Sequence, residues 1–154
     1  MRLRQLVLPA VACVALGACQ SAQPPGPDGA TFMASNARAP GVVSAHGVEY
    51  KILQSGPADG PHPTPDEDVT VEYEGRLLNG KVFDATPPGQ PVTFQLGGLI
   101  PGWIAALRLM RPGDEWMLWI PPGLGYGGEA TGPIPANSVL AFRLKLVSVQ
   151  AHKD

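Results

Sequence analysis

Few side chains in this sequence are placed to do covalent or metal chemistry. The three histidines stand at 46, 62 and 152, scattered and matching no metal-ligand spacing. The two cysteines are Cys13, inside an apolar run, and Cys19, directly after it. The residues that stand out instead are large and apolar. In Leu99-Ile100-Pro101-Gly102-Trp103 a tryptophan falls just inside a Pro-Gly helix start. A tryptophan there either fills core or floors a pocket, and that choice is most of the functional question. Read alone, Phe94, Trp103 and Phe142 are ordinary core residues, and Asp84 after Val82-Phe83 is a solvated acid facing a turn. Tyr126 resists so plain a reading, because an aromatic between Gly125 and Gly127 packs no element interior.

The elements that must position these residues are mostly strands. Alternation predicts strands over 47–53, 68–77, 92–96, 115–120 and 138–149, with a return strand beginning at Val82. In 68–77, Val69, Val71 and Tyr73 share one face, and Thr70, Glu72 and Glu74 the other. Asn79-Gly80 marks a hairpin, since both residues accept the positive φ of a tight turn. Residues 85–91 and 121–137 are loops shaped by Pro and Gly. One short helix opens at Pro101-Gly102, continues through Ile104-Ala105-Ala106-Leu107-Arg108-Leu109-Met110, and is stopped by Arg111-Pro112-Gly113-Asp114. Being almost wholly apolar, it belongs pressed against the sheet. The expected class is α+β: several antiparallel strands and one central helix.

The chain has 154 residues, enough for one domain with a real core. A formal net charge of -2 and the lack of any Lys/Arg cluster exclude nucleic acid as a partner. Residues 1–18 read as an export signal: Arg2 and Arg4 precede an apolar run too short to span a bilayer comfortably. The run ends Leu16-Gly17-Ala18-Cys19, which resembles the bacterial lipobox and makes Cys19 the lipidation site. An ordinary signal cut after Ala18, or a short N-terminal anchor, is the alternative. By resemblance to bacterial lipoprotein sorting, Gln20 rather than Asp after the cysteine favours the outer membrane, facing the periplasm. After processing no free thiol remains. Residues 19–45, rich in Pro, Gly, Ala, Ser and Asn without periodicity, read as a flexible tether. The domain is expected over 46–150, with 151–154 a tail.

The ordered pieces Val71-Glu72-Tyr73-Glu74-Gly75, Gly80-Lys81-Val82-Phe83-Asp84, Ile100-Pro101-Gly102-Trp103, Gly125-Tyr126-Gly127, Ile134-Pro135-Ala136-Asn137-Ser138 and Leu140-Ala141-Phe142 resemble the FKBP-type peptidyl-prolyl isomerase domain. The resemblance covers roughly 47–149 and implies a curved antiparallel sheet wrapped around one short helix. Within the family it is similar to the bacterial envelope isomerases of the macrophage infectivity potentiator group. The long helical dimerisation region of that group has no counterpart in the tether, so a monomer is expected. The resemblance implies a pocket of Tyr73, Phe83, Asp84, Phe94, Leu99, Ile100, Trp103, Tyr126, Ile134 and Phe142. Leu99 stands where Val is commoner, and the loop after Tyr126 lacks a His that some members carry.

The activity so implied is rotation of X-Pro amides in polypeptide clients, against a barrier of roughly 18–20 kcal/mol. No bond is made or cut, so no nucleophile, metal or cofactor is required. Trp103 would floor the pocket, with Phe83, Phe94 and Phe142 as walls and Tyr73, Leu99 and Ile134 completing the substrate site. The Ile100 N–H and the Tyr126 hydroxyl would hold flanking carbonyls. Asp84 would orient a pocket donor or act on the twisting carbonyl; both roles stand open. Macrolide-type inhibitors are a further ligand class of the family. A non-catalytic chaperone that holds proline-containing clients, or a structural envelope lipoprotein, are the other readings.

Overall fold

A computed structural model of the chain describes residues 28–153. The expected signal segment and Cys19 lie outside them. The described chain runs α1 Gly29–Asn36, β1 Val42–Ala45, β2 Val48–Gln54, β3 Glu67–Leu77, β4 Val82–Ala85, β5 Val92–Gln95, α2 Pro101–Leu107, β6 Glu115–Ile120 and β7 Leu140–Ala151. Short 3₁₀ turns stand at Leu96–Gly98 and Pro122–Leu124. All strands pair antiparallel in one sheet of order β1-β2-β6-β7-β3-β4. β5 pairs Asp68–Val71 of β3 and β4 pairs Glu74–Arg76, so both occupy the same edge of β3. The connection between them, residues 86–91, leaves that edge and rejoins it.

Alternation fixes which face is inside. Val69 and Val71 of β3, Trp116, Leu118 and Ile120 of β6, and Leu140, Phe142, Leu144 and Leu146 of β7 all point into one core. Register breaks between Ile52 and Gln54, between Thr70 and Val71, and between Gly75 and Arg76 add local twist and curl the sheet. α2 lies in the concave face. Seven residues cannot hold a helix alone in water, so packing holds it. Pro101 supplies a preset φ at the first turn. Gly102 lets the helix meet β6, since a Cβ there would stand 2.5 Å from Ile120. Trp103, Ala106 and Leu107 are buried beneath the sheet, and each large side chain contributes about 1.5–3 kcal/mol. Asp114, itself buried, closes the turn after α2 by accepting from Arg111 N–H at 2.9 Å and Gly56 N–H at 2.6 Å.

The architecture is the expected α+β class, with two corrections near the N-terminus. A tether through residue 45 does not describe 29–45. Val42–Ala45 pairs with β2, register Val42↔Lys51 to Ala45↔Val48. His46 and Gly47, at φ 51° and 84°, make the two-residue turn whose twist matches a hairpin. The second correction is α1, a helix beyond the one expected. Asp28 caps it, accepting from Thr31 N–H at 2.9 Å and from the Thr31 hydroxyl at 2.7 Å. It buries none of its own residues. It is tied to the sheet by Asn36 Nδ2–H donating to the buried Glu49 at 2.8 Å. A third, smaller difference is the Asn79-Gly80 hairpin, where only Gly80 takes a positive φ (86°). Asn79 instead uses its side-chain oxygen to accept from Lys81 N–H at 2.9 Å.

Candidate active site

The inner face of β3 leads into the site. Two buried valines are followed by Tyr73, half-buried, and then by Gly75. A Cβ on Gly75 would lie 2.6 Å from Phe83 Cζ and 2.7 Å from Phe142 Cε1. The missing side chain is therefore what lets these two rings meet, edge to face with centroids 5.5 Å apart. β4 is bulged at the same level: Gly75 pairs with Asp84 and Arg76 with Val82, leaving Phe83 as the extra residue. Neighbours on a regular strand face opposite ways. Through the bulge, Phe83 and Asp84 both reach one cavity.

That cavity has a volume of about 220 Å³ and is lined by Tyr73, Phe83, Asp84, Phe94, Leu99, Ile100, Trp103, Tyr126 and Phe142. Nine of the ten residues expected from the sequence thus come together. Trp103 is at the bottom, 5% exposed. Its ring meets Tyr73 at 5.0 Å, Phe142 at 5.2 Å and Phe94 at 6.3 Å, all near-perpendicular. Such edge-to-face pairs are worth about 0.5–1.5 kcal/mol each beyond burial. The Trp103 indole N–H is buried with no partner among the described residues, so the floor offers a ring and no polar handle. The tenth residue, Ile134, is a correction. It is 5% exposed in the core, held in a tight turn by paired backbone bonds with Thr131 at 2.9 Å, and does not line the cavity.

The polar groups are few and placed at the rim. The Tyr73 hydroxyl donates to Asp84 Oδ2 at 2.6 Å. Burial first, and then the Asp84 hydrogen bond and charge, push the Tyr73 phenol far above its ordinary value. Tyr73 is therefore a fixed donor and Asp84 its acceptor. The Ile100 N–H, at the start of α2, makes no hydrogen bond among the described residues. Tyr126 is 41% exposed at the mouth. Its loop is held by Gly127 N–H donating to the Pro122 carbonyl (2.9 Å) and Asn137 N–H donating to the Gly127 carbonyl (2.8 Å). No group of three or more His, Cys, Asp or Glu is placed to hold a metal among the described residues.

An aromatic cavity held by a curved sheet and one short helix is what the sequence pieces had implied, and residues 60–147 match the FKBP-type peptidyl-prolyl cis-trans isomerase family. The chain belongs to that family. The FKBP domain here is 47% identical over 122 residues to the peptidyl-prolyl cis-trans isomerase Mip of Coxiella burnetii, covering 77% of this chain and 52% of that protein. It is 43% identical over 125 residues to the outer membrane protein MIP of Legionella longbeachae, covering 79% and 53%. A crystal structure of a peptidyl-prolyl cis-trans isomerase from Pseudomonas syringae superposes with a TM-score of 0.73 at 39% identity, covering 79% of this chain and 90% of that one. The chain spans about half the length of the curated relatives named here. Gly75 is the site residue that sequence reasoning missed. A glycine interrupting an alternating strand was the signal, since it marks close approach of another group.

Proposed function

We propose that the chain is a peptidyl-prolyl cis-trans isomerase acting on proline-containing polypeptides, with no covalent step. The observation that carries this reading is the aromatic cavity with a single carboxylate at its rim. At about 220 Å³ it lies below the roughly 300–1,000 Å³ of sites for drug-sized ligands, a size suited to one prolyl ring with its flanking amide. A planar amide is held planar by conjugation and is well solvated by water. The twisted amide has lost conjugation and some charge separation. Moving the bond out of water onto Trp103, Phe83, Phe94 and Phe142 therefore favours the twisted form over the planar one. The unpaired Ile100 N–H and the Tyr126 hydroxyl supply donors for the carbonyls on either side of the proline. The Tyr73 contact favours the orienting role for Asp84, whose carboxylate fixes the Tyr73 ring beside the substrate.

The cellular setting is proposed from the sequence and the relatives. Leu16-Gly17-Ala18-Cys19 supports a lipid anchor at Cys19. Gln20, together with the Legionella longbeachae relative's name, supports the outer membrane, facing the periplasm. No helix among the described residues is long and apolar enough to cross a membrane. The chain is proposed to act as a monomer, and a macrolide-type inhibitor would place one ring-sized group in the same cavity.

The test is prolyl exchange on a short peptide with the full chain in detergent. Catalysis well above the uncatalysed rate supports the reading. A folded chain that binds the peptide without accelerating exchange would move it to the holding chaperone. For the anchor, acyl labelling should vanish in Cys19→Ser, and labelling that persists would remove the lipoprotein reading.

A further inference from the structure

We propose that Thr86 is a positioning residue for the cavity, holding the Tyr73–Asp84 pair in register without touching substrate; this rests on the isomerase reading above. Thr86 follows the last residue of β4. The ladder of β3 and β4 pairs Glu74 with Ala85, so its next pair would be Tyr73 with Thr86. Half of that pair forms in the ordinary way: Thr86 N–H donates to the Tyr73 carbonyl at 2.9 Å. The other half is made by a side chain. Tyr73 N–H donates to Thr86 Oγ1 at 3.1 Å, in place of the Thr86 carbonyl. The hydroxyl lies a further 3.4 Å from the Tyr73 carbonyl oxygen.

This substitution has a reason in the sequence. Pro87 and Pro88 follow, and neither has an N–H to continue a ladder. The chain must leave the sheet at Thr86, and a hydroxyl lets it leave while Tyr73 N–H stays satisfied. The consequence reaches the site. β4 is a four-residue edge strand broken by a bulge, and Asp84 on it is exposed. Packing alone does not fix such a carboxylate. The pairs on either side of it do, and Thr86 closes the C-terminal side by gripping the main chain of Tyr73, whose own hydroxyl binds Asp84. Thr86 also borders a depression of about 370 Å³ with Glu72, Glu74, Glu115 and Arg143, outward-facing residues of the sheet, and is not among those lining the aromatic cavity. It acts on the substrate site only through Tyr73 and Asp84.

The experiment compares Thr86→Val, which keeps the branched shape and removes the hydroxyl, with Thr86→Ser, which keeps the hydroxyl. Both are made in the full chain, with and without Asp84→Asn. One neutral hydrogen bond sets the scale, so Thr86→Val should lower kcat/KM by about fivefold. Thr86→Ser should stay within about twofold of wild type. With Asp84→Asn present, Thr86→Val should change kcat/KM by less than about twofold, because the two act as one unit. A second readout needs no catalysis. The alkaline absorbance titration of Tyr73, assigned by its loss in Tyr73→Phe, should move back toward the ordinary tyrosine value in Thr86→Val. Wild-type kcat/KM in a folded Thr86→Val, a full additional loss beside Asp84→Asn, or an unmoved Tyr73 titration each overturns the proposal. Absence of exchange catalysis in the wild type would instead overturn the isomerase reading, with the titration still deciding the role of Thr86.

Discussion

Gly75→Ala is the smallest change that should open the cavity. The added Cβ would sit 2.6 Å from Phe83 and 2.7 Å from Phe142. Ordinary carbon contact begins near 3.4 Å, so about 0.7–0.8 Å must be found on each side. Phe142 cannot yield: it is 3% exposed and set against Trp103 and Tyr73. Phe83 can, because it is half-buried on the edge strand β4. The added methyl must therefore back away from Phe142 toward the edge strand, the displacement falls on Phe83, and water enters beside the prolyl ring. Overpacking of this kind costs about 1–3 kcal/mol, a Tm decrease of roughly 3–15 °C in a domain of this size. Misplacing a wall by about 1 Å or more is expected to lower kcat/KM by about 10–100-fold. The assay is prolyl exchange at a temperature where melts show the variant folded. Phe83→Leu removes the obstructing ring edge, so in the Gly75→Ala background it should restore part of the lost Tm, although alone it lowers Tm. Wild-type activity and Tm in Gly75→Ala would refute the packing argument. Strict additivity of the two substitutions would refute the role given to Phe83.

Asp84→Asn keeps shape and removes charge, and should leave the melt near wild type while kcat/KM falls clearly; an unchanged kcat/KM would place the functional acid elsewhere. The raised Tyr73 pKa has a definite sign. The folded chain keeps the phenolic proton above pH 10, where an unfolded tyrosine with its ordinary value of 10.0 loses it. That contribution is complete below pH 10 and is lost as pH rises above it. The stability difference between wild type and Tyr73→Phe should accordingly be flat from pH 7 to 9 and shrink above 10, as read from urea melts. Removing residues 1–45 strips β1 from β2 and should lower Tm by roughly 5–10 °C, with the new β2 edge promoting self-association. A truncated domain as stable as the full chain would mean that β1 adds little.

Strands that alternate, and pack one side, were legible because their pattern is the packing. β6 falls on Glu115–Ile120 as expected, with Trp116, Leu118 and Ile120 inside. The start of α2 was legible because its Pro-Gly and apolar run admit little else, but the helix ends at Leu107, short of the expected run to Met110. α1 left no such mark. It buries nothing, so its residues carry no helical stripe, and the only signal was Asp28 three residues before Thr31. β1 is four residues long, and its hairpin hinges on His46 taking a positive φ. The bulge at Phe83 defeats counting altogether, because alternation assigns Phe83 and Asp84 to opposite faces. Nine cavity residues were named through motif order rather than through periodicity. Ile134 was misplaced for a related reason: its position in the chain is near the site, but the Thr131 turn directs it into the core.

The excursion of residues 86–91 makes the rim of the domain tolerant of added chain. It starts opposite Tyr73, through Thr86, and ends at Val92 opposite Val71, two residues along the same strand. Its ends are thus pinned about 7 Å apart by β3 itself. Gly89, at φ 71°, has nothing within 4 Å of where a Cβ would stand. The entropy of closing a loop grows only with the logarithm of its length, so doubling this one adds about 0.6 kcal/mol. A peptide or a small folded module spliced after Gly89 should leave the sheet intact while standing beside the strand that carries Asp84. The scaffold thereby offers a graft point, where a client-capturing arm can be fused without rebuilding the cavity.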